Sequence, residues 1–528
     1  MKICKECGME FLISDEQKQI LRKFTLRIKD EYFEIPEPTL CVDCRQKRRL
    51  SFRNERVLFK RKCDLTGKDI ISIYSPDSPF PVCSSEVWWS DSFNGLDYGM
   101  EYDFSRTFFD QFGELMRKVP RLSLQVVNND NSDYINLSGH CKNCYLLFAA
   151  DYCQDCYYGS IVINSENCVD TYNCYESKFC YEVVDSWNCY KVMFSANVRN
   201  CNESMFLYNC RGCTNCLFSS NLRNKKFYIF NRQHTEQEYI EKREKIMKRI
   251  QDGGFLALYE EFRKFIFETP HRALLISRSE RSIGNYLSDC KNVHHSFDLT
   301  HANDCLYVYN GYQVKDILDV CHTTEFEFGY ESMSIGYNSY GIFFANGAWG
   351  SSNAYYSNNV QSCENVFGCS QLKRNNYCIL NKQYTKEEYF ELIPRIIKKM
   401  KEDGEFGEFF PVSMSPFDYE DTIANFYYSK QEKVLKYGGP IPEESIVCEV
   451  SGRPFQLTHA EVNFYQMMGL PNPTLHPDER HQRRFNLRPK RILIDRACDK
   501  CGKITKTTED LSVSKKMYCE DCYLKEIY

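Results

Sequence analysis

Two stretches of the chain are rich in aromatic, β-branched and cysteine residues and poor in helix formers. The first runs from Ser138 to Asn231 and holds twelve cysteines, many of them preceded by asparagine. Within it Cys168, Cys189 and Cys210 follow one another at every twenty-first position. A fixed short period of strand-forming residues is typical of stacked coils, in which equivalent inward positions lie above one another. The pattern predicts a parallel β-helix.

The second stretch, from Ser282 to Asn381, has fewer cysteines, but polar side chains recur in it at every twelfth position, at Asn292, Asp304 and Asp316. We interpret it as a second block of the same kind. Buried cysteine packs as a small apolar side chain, so most of these cysteines are expected to be structural thiols. The alternative is a further metal site, and its candidate ligands are Cys141, Cys144, Cys153 and Cys156, or Cys210, Cys213 and Cys216.

A helix is expected after each block. Thr235 with Glu238, and Thr385 with Glu388, have the spacing of a capping box, which supplies partners for first-turn amides. Apolar residues then recur at helical spacing in both segments. These helices are predicted to close the ends of the two blocks.

The two ends of the chain resemble each other. The matching pairs begin at Cys4 (CKECGMEFLISDEQ) and Cys448 (CEVSGRPFQLTHAE), at Pro36 (PEPTLCVDCRQKRRLSFR) and Pro471 (PNPTLHPDERHQRRFNLR), and at Arg56 (RVLFKRKCDLTGK) and Arg491 (RILIDRACDKCGK). Each end therefore carries a tandem pair of small modules.

The outermost module of each pair has the cysteine spacing of a zinc ribbon. Two CxxC motifs with a long spacer between them supply Cys4, Cys7, Cys41 and Cys44, and two with a shorter spacer supply Cys498, Cys501, Cys519 and Cys522. Paired motifs of this kind offer four thiolates to a tetrahedral Zn²⁺ and leave no open position for water or substrate. We predict two structural zinc sites, since a redox CxxC would occur singly in a βαβ setting.

The inner modules have lost part of this set. Cys63 and Cys83 remain in one, where Thr66 replaces a cysteine, and Cys448 and His476 remain in the other. A Cys and His remnant can still bind metal, but a packed, metal-free ribbon is the favoured interpretation.

The motif CKECGMEF, followed by Glu16, Gln17 and PEPTLCVDCRQKRR, resembles a predicted zinc-ribbon family found in many bacterial proteins. The whole chain, with RKCDLTGKDIISIYSPDSP, NCRGCTNC and CEDCYLKEIY, resembles a long uncharacterised Cys-rich family of candidate-phylum bacteria. The resemblance implies zinc and this architecture, and it implies no mechanism.

Charge and cysteine content limit the possible functions of the protein and its cellular compartment. The 528 residues carry 67 basic and 72 acidic side chains, for a net charge of −5, so the overall charge does not indicate a nucleic-acid binder. The first residues form a CxxC motif where a secretory signal needs an apolar core. No apolar run approaches the length that spans a bilayer. We expect a soluble, cytoplasmic protein whose 29 cysteines stay reduced.

A basic run follows the first ribbon at each end, and these side chains are the candidate nucleic-acid contacts: Arg45, Lys47, Arg48, Arg49 and Arg53, and Arg480, Arg483, Arg484 and Arg488. A rigid ribbon presenting guanidinium groups suits a phosphate backbone, so RNA or a ribonucleoprotein is the predicted partner. The alternative is that they form ion pairs with acidic side chains of the same chain.

Two other function classes stay open. Solenoids present extended surfaces, so a scaffold that binds proteins is the second hypothesis. An enzyme of β-helix type is the third, although the sequence has no GxxxxGK[ST], GxSxG or HExxH motif. No catalytic residue is predicted, and a non-enzymatic protein is favoured.

The predicted fold is mainly β, with two parallel β-helix-like blocks, helical caps and tandem ribbons at both termini. The predicted segments are a zinc ribbon (1–54), a degenerate ribbon (55–95), a connection (96–133), β-helix block 1 (134–232), a helical cap (233–280), β-helix block 2 (281–382), a second helical cap (383–445), a degenerate ribbon (446–489) and a zinc ribbon (490–528).

Overall fold

The computed structural model describes residues 1–428 and 445–527. Strands account for 38% of the residues and helices for 24%, so the chain is mainly β, as predicted. The described residues divide into two compact units. The first unit contains residues 1–124 and 274–428, and the second contains residues 125–273 and 445–527. Each unit thus combines one end of the chain with one of the two repetitive stretches.

The helices lie outside the repetitive stretches. In chain order they are α1 (Asp15–Lys23), α2 (Val42–Leu50), α3 (Ser85–Trp89), α4 (Phe108–Lys118), α5 (Glu236–Gln251), α6 (Phe255–Glu268), α7 (Lys386–Glu402), α8 (Ile423–Tyr428), α9 (His459–Met468), α10 (Pro477–Phe485) and α11 (Glu520–Ile527). Both predicted capping boxes are present, at the starts of α5 and α7. Within the described residues, no helix combines the length and apolar character needed to cross a membrane.

The second unit is built on an eleven-stranded sheet, here called the first repeat sheet, whose strands follow one another in chain order. Its strands are Val126–Val127, Ser138–Gly139, Phe148–Asp151, Ser160–Ile163, Val169–Tyr175, Tyr181–Trp187, Tyr190–Arg199, Asn202–Tyr208, Thr214–Ser220, Lys226–Ile229 and Arg232–Gln233. Apart from the last, antiparallel pair, neighbours run parallel, and a residue pairs with the twelfth residue after it, as in Phe148 with Ser160 and Ser160 with Tyr172.

The backbone of this sheet bends at every third residue. From Leu137 to Phe230 each third residue has a positive φ near 50°, a conformation that asparagine and aspartate tolerate better than most residues. All twelve cysteines of this stretch directly follow such a residue, and all are buried. The Asn-Cys dipeptides are therefore corners followed by inward positions.

The regular interval noted among Cys168, Cys189 and Cys210 is not the repeat of the sheet. The strands repeat at every twelfth position, and inward positions recur at every third. Two inward cysteines can therefore be separated by any multiple of three residues. The interval between these cysteines satisfies this condition without placing them in one row.

The first unit contains the second repeat sheet, also of eleven strands. They are Ile276–Ser277, Ile283–Ser288, Lys291–Gly336, Ser339–Phe343, Asn346–Trp349, Ser352–Tyr355, Asn358–Gln361, Glu364–Phe367, Ser370–Lys373, Asn376–Ile379 and Lys382–Gln383. A residue pairs with the eleventh residue after it at the start of the sheet, with the twelfth through most of it, and with the thirteenth where Phe326 meets Ser339. The predicted twelfth-position spacing is present here, since Asn292 donates from Nδ2 to Asp304 Oδ1 over 2.9 Å.

Short strand pairs make up the modules at the two ends. The antiparallel pairs are Lys2–Ile3 with Glu10–Phe11, Leu26–Ile28 with Glu31–Phe33, Phe59–Lys62 with Asp69–Ser72, Ile446–Val447 with Pro454–Phe455, and Ile494–Ala497 with Ile504–Thr507. Two parallel pairs, Val82–Cys83 with Arg121–Leu122 and Pro270–Arg272 with Lys516–Tyr518, complete the set. Of the predicted cap 383–445, residues 429–444 lie outside the described part of the chain.

Candidate metal centres and buried arginine clusters

All four terminal modules contain the same turn. In each, the amide of the first cysteine donates to the carbonyl of the fifth residue after it, and the amide of a glycine donates to the carbonyl of that cysteine. In the first module, Cys4 donates to Met9 over 2.9 Å and Gly8 donates to Cys4 over 3.0 Å. The equivalent glycines, Gly8, Gly67, Gly452 and Gly502, all have φ between 69° and 75°, which favours glycine. The turn persists in the modules that have lost ligands, so its geometry comes from the backbone.

At each terminus the turn brings four sulfur atoms together. The Sγ atoms of Cys4, Cys7, Cys41 and Cys44 lie within 4.8 Å of one another, and so do those of Cys498, Cys501, Cys519 and Cys522. Both quartets can hold a metal ion, and within the described residues they are the groups of three or more Cys, His, Asp or Glu side chains that meet this distance.

Backbone amides prepare one sulfur of each quartet for metal. Burial acts to raise the pKa of Cys4, but hydrogen bonds from the amides of Cys7, Cys41 and Glu6 outweigh it and lower the pKa to about 6. Cys498 behaves in the same way, with a pKa lowered to about 6 against the effect of burial. A thiolate is the form that binds metal, so these sulfurs are poised as ligands.

The inner modules show where the missing ligands would be. In the intact modules the third cysteine directly precedes a helix: Cys41 is the N-cap of α2, and Cys519 comes just before α11. The residue in that place is Ser84 before α3 and His476 before α10. Cys83, which the sequence suggested as a ligand remnant, is therefore one residue away from the ligand position.

The remnants do not form a quartet. Neither Cys63 with Cys83 nor Cys448 with His476 is part of a group of three potential ligands within the described residues. His476 instead accepts a hydrogen bond at Nδ1 from the amide of Asp478 over 3.1 Å, as an N-cap side chain does. Burial lowers the pKa of His476 to about 4, so the ring is neutral at pH 7.

The thiols inside the repeat sheets have backbone partners. Cys141, Cys144, Cys153 and Cys156, one of the alternative metal sets, each donate from Sγ to the carbonyl of the second residue before them over 3.3 to 3.4 Å. Cys210, Cys213 and Cys216 do the same over 3.4 to 3.5 Å. Neighbouring thiols and burial raise the pKa of five of these seven cysteines, whereas hydrogen bonds from neighbouring thiols lower the pKa of Cys141 and Cys213. Burial and backbone partners agree with the structural role expected for most of these cysteines.

The basic run after the first ribbon is turned toward the repeat sheet of the same unit. Arg45 lies 2.9 Å from Asp319, and Arg48 lies 2.6 Å from Glu331 and 2.9 Å from Glu408. Arg49 lies between the two sheet carboxylates, 3.5 Å from Asp319 and 3.4 Å from Glu331. The side chains of Arg45, Arg49, Asp319 and Glu331 are at most 1% exposed. Arg53 pairs with Glu55 over 2.6 Å and also donates to Ser334.

The second unit repeats this arrangement with different residues. Asp170 accepts a hydrogen bond from Arg480 and forms an ion pair with Arg484 over 2.8 Å. Glu182 accepts from Arg483 over 2.5 Å and from Arg484 over 3.4 Å. Arg488 pairs with Asp185 over 3.0 Å, and Arg480 lies 3.5 Å from Glu461 of α9.

The two clusters are equivalent at their centres, although their outer ion pairs differ. The arginines of α2 and α10 correspond through the duplication of the termini. In each unit the two central carboxylates occupy positive-φ corners and the second is the twelfth residue after the first, Asp170 and Glu182 in one unit and Asp319 and Glu331 in the other. Sequence reasoning missed these acids, although the matching spacing in both repetitive stretches was a signal for them.

The structure places most of the predicted nucleic-acid contacts within their own unit. Eight of the nine are arginines that form ion pairs inside their own unit, which is the alternative that the sequence left open. The exception is Lys47, which is exposed and places its ammonium 5.1 Å from the centre of the Tyr419 ring. A guanidinium held by buried carboxylates is not free to meet a phosphate, so nucleic-acid binding through these arginines stays a prediction that the geometry does not favour.

Comparisons with known proteins add little. No protein-family model matches the chain, and no curated protein matches it. A solved crystal structure of a protein provisionally named an acetyltransferase, from Desulfovibrio desulfuricans G20, aligns over 50% of this chain and 71% of its own length. The identity is 9% and the TM-score is 0.10, and a likeness of this size carries no argument.

Proposed function

We propose that the chain is a non-enzymatic, zinc-binding scaffold in which a zinc ribbon at each end is docked on a parallel β-helix whose outer surface binds a partner. The observation that carries this proposal is the pair of equivalent arginine clusters. They use the basic side chains of the ribbons for contacts within each unit, which leaves the β-helix surface as the place where a partner can bind.

Zinc is the metal we infer for both quartets. Four sulfurs arranged as a tetrahedron about 2.3 Å from a central ion lie about 3.8 Å apart. The Cys7 and Cys41 sulfurs are separated by 3.8 Å, and so are those of Cys501 and Cys519. Four thiolates fill the coordination shell, so the role we propose is to hold the ribbon and not to activate water or substrate. The resemblance to a Cys-rich zinc-ribbon family of bacteria agrees with this choice.

The β-helix interpretation rests on register and on inward packing. Parallel neighbours that pair each residue with the twelfth one after it, and a corner at every third residue, describe a coil with four short sides. In the buried cluster of the first repeat sheet, residues such as Leu147, Val162, Val183 and Leu207 each directly follow a positive-φ corner. Rows of cysteine and serine between them let successive coils approach closely.

A reducing compartment such as the cytoplasm fits this core. Inward thiols on successive coils, such as Cys144, Cys156 and Cys168, are buried and donate to backbone carbonyls. Oxidation would remove these donors, so we propose that the protein works where thiols stay reduced.

Nucleic-acid binding is retained as the second candidate. It was predicted from the basic ribbon segments, and Lys47 is the exposed member of that set. An enzyme is the least supported class, since no catalytic constellation was found in the sequence and the metal quartets have no open position.

Metal analysis of purified protein tests the structural role of zinc. We expect two zinc ions per chain, one in the variant Cys7→Ser and one in Cys501→Ser. Cys63→Ser and Cys448→Ser are the matched controls, and each should retain two ions because these residues lack a quartet. Zinc lost from the control variants, or a zinc-free protein that unfolds at the same temperature as the loaded one, would contradict the proposal.

A further inference from the structure

Arg121 differs from the other buried arginines of the chain. Among the residues that the structure describes, five arginines are at most 1% exposed: Arg45, Arg49, Arg121, Arg480 and Arg484. Four of them belong to the two clusters and lie within 3.5 Å of a carboxylate, whereas Arg121 forms no ion pair within the described residues. A buried charge without a partner is strongly unfavourable, so a counter-charge for Arg121 has to be identified.

The guanidinium of Arg121 lies between the degenerate ribbon of the first unit and the second repeat sheet. Its strand, Arg121–Leu122, pairs with Val82–Cys83 of the ribbon. The guanidinium carbon lies 4.5 Å from the centre of the Phe80 ring, and Nη1 donates to Oδ1 of Asn358 in the sheet over 3.1 Å. Burial lowers the pKa of Arg121. The protein surroundings therefore do not offset the cost of burying this charge.

Several polar atoms beside this guanidinium have no hydrogen-bond partner among the described protein atoms. They are Nε and Nη2 of Arg121, Nδ2 of Asn358 and Oγ of Ser370. Asn358 and Ser370 are opposite each other in the strand register, and parallel neighbours are about 4.8 Å apart. Each of these atoms carries a hydrogen that it can donate. The surroundings of Arg121 thus supply a positive charge and unused donors, which is the composition of an anion site.

The same place exists in the second unit. The inner module of the N-terminal pair and the outer module of the C-terminal pair align without a gap up to the helix that follows each. In the first unit Val82 pairs with Arg121, and its equivalent in the second unit, Met517, pairs with His271. Arg121 and His271 therefore occupy equivalent positions.

A carboxylate faces this position in the second unit but not in the first. Oε2 of Glu509 lies 3.0 Å from Nδ1 of His271, and both side chains are buried. The residue aligned with Glu509 is Tyr74, and its ring centre lies 5.8 Å from the guanidinium carbon of Arg121. The first unit thus has an arginine in place of the histidine and a tyrosine in place of the glutamate, so the counter-charge has to come from outside the described residues.

From these positions we propose that Arg121, Asn358 and Ser370 bind a chloride ion, which supplies the counter-charge and joins the degenerate ribbon to the second repeat sheet. One monovalent anion balances one guanidinium, and charge-assisted hydrogen bonds use the free donors. The three residues are at most 2% exposed, so the ion has to lose its water shell, which favours chloride or bromide over the strongly hydrated fluoride. The site goes beyond the scaffold proposal and is independent of it, since it uses none of the zinc ligands.

The chloride dependence of stability tests the proposal on the full chain. Chloride replaces fluoride at constant ionic strength, and hydrogen exchange is measured in the strands Val82–Cys83 and Arg121–Leu122. If the folded state binds chloride with a Kd below about 100 mM, a rise from about 10 to about 300 mM should increase protection of these strands about 3- to 30-fold. The equivalent strands of the second unit, Pro270–Arg272 and Lys516–Tyr518, should change less than about twofold because Glu509 is already present.

Substitutions at position 74 give the matched comparison. Tyr74→Glu places in the first unit the carboxylate that the second unit has, so it should raise protection at low chloride and abolish the dependence on chloride. Tyr74→Phe keeps the ring without adding an acid and should retain the dependence. Arg121→Met removes the charge and should abolish the dependence without the gain at low chloride.

Anomalous diffraction from crystals grown in bromide locates the ion. We expect a bromide peak within hydrogen-bond distance of the Arg121 guanidinium in the unmodified protein and in Tyr74→Phe, and no peak there in Tyr74→Glu. An ordered water without anomalous signal beside Arg121 would overturn the site. So would protection that does not change with chloride, a dependence that persists in Tyr74→Glu, or an equal dependence in the strands of the second unit.

Discussion

Replacing Arg49 with methionine tests whether the ribbon is held by buried charge. Arg49 is fully buried and lies 3.5 and 3.4 Å from the carboxylates of Asp319 and Glu331. At an effective dielectric constant of about 20, opposite charges about 3.5 Å apart attract by about 5 kcal/mol. Removing one partner also leaves a negative charge uncompensated in the interior. We expect the free energy of unfolding of the first unit to fall by about 3 to 5 kcal/mol.

Urea unfolding with hydrogen exchange as a second readout gives the measurement. The midpoint should shift to lower urea, and amide protection should fall in α2 and around Asp319 and Glu331. Arg484→Met is the matched variant, because Arg484 has the equivalent place between Asp170 and Glu182, and its effect should appear in the second unit. The two variants should have effects of similar size.

A rescue and a surface control decide the interpretation. Glu331→Gln added to Arg49→Met restores the charge balance and should recover a substantial part of the loss. Arg263→Met removes an exposed arginine 3.4 Å from Glu260 and should cost less than about 1 kcal/mol. If Arg49→Met costs no more than Arg263→Met, or if the double variant is less stable than the single one, the buried-charge argument is wrong.

Three further predictions follow from single positions. Asn197 has a φ of 51° and donates to Asn209 over 3.0 Å, so Asn197→Val should cost about 2 to 5 kcal/mol, and clearly more than Asn197→Gly, in urea unfolding. Cys168→Ser should cost less than about 1.5 kcal/mol because serine can keep the bond to the Glu166 carbonyl, whereas Cys168→Leu should overpack the core and cost more; equal losses would refute this. Since burial lowers the pKa of His476 to about 4, against about 6.5 in the unfolded chain, unfolding takes up a proton between these values and stability falls as the pH drops through them. His476→Gln should show a smaller loss across this pH range, and an unchanged pH profile would contradict the assignment.

Local patterns in the sequence predicted the features that depend on a few neighbouring residues. The capping boxes at Thr235 and Thr385 are present as expected, and the two cysteine quartets meet as their spacing indicated. Both depend on short motifs with one favoured geometry, and the backbone turn around Gly8 or Gly502 enforces it.

Features that depend on distant partners were harder to predict. A run of arginines looks the same whether it faces solvent or a carboxylate, and Arg45 meets Asp319 across 274 residues of sequence. The repeat of the first sheet was misjudged for a different reason. Inward positions recur at every third residue, so buried cysteines can follow one another at every twenty-first position although the strands repeat at every twelfth. The role of Ser84 could be found only from its place before α3.

The pairing of each chain end with a repeat sheet also sets an order for biosynthesis. The arginines of the second cluster are translated after Asp170 and Glu182, so both carboxylates have already been synthesised when α10 leaves the ribosome. The first cluster leaves the ribosome long before Asp319, which is 274 residues away from Arg45. At about 5 to 20 residues per second, the arginines of α2 spend about 14 to 55 s without their carboxylates. During translation, the arginines of the N-terminal module therefore exist for a time without their carboxylate partners. The arginines of the C-terminal module can form their ion pairs as soon as they are synthesised.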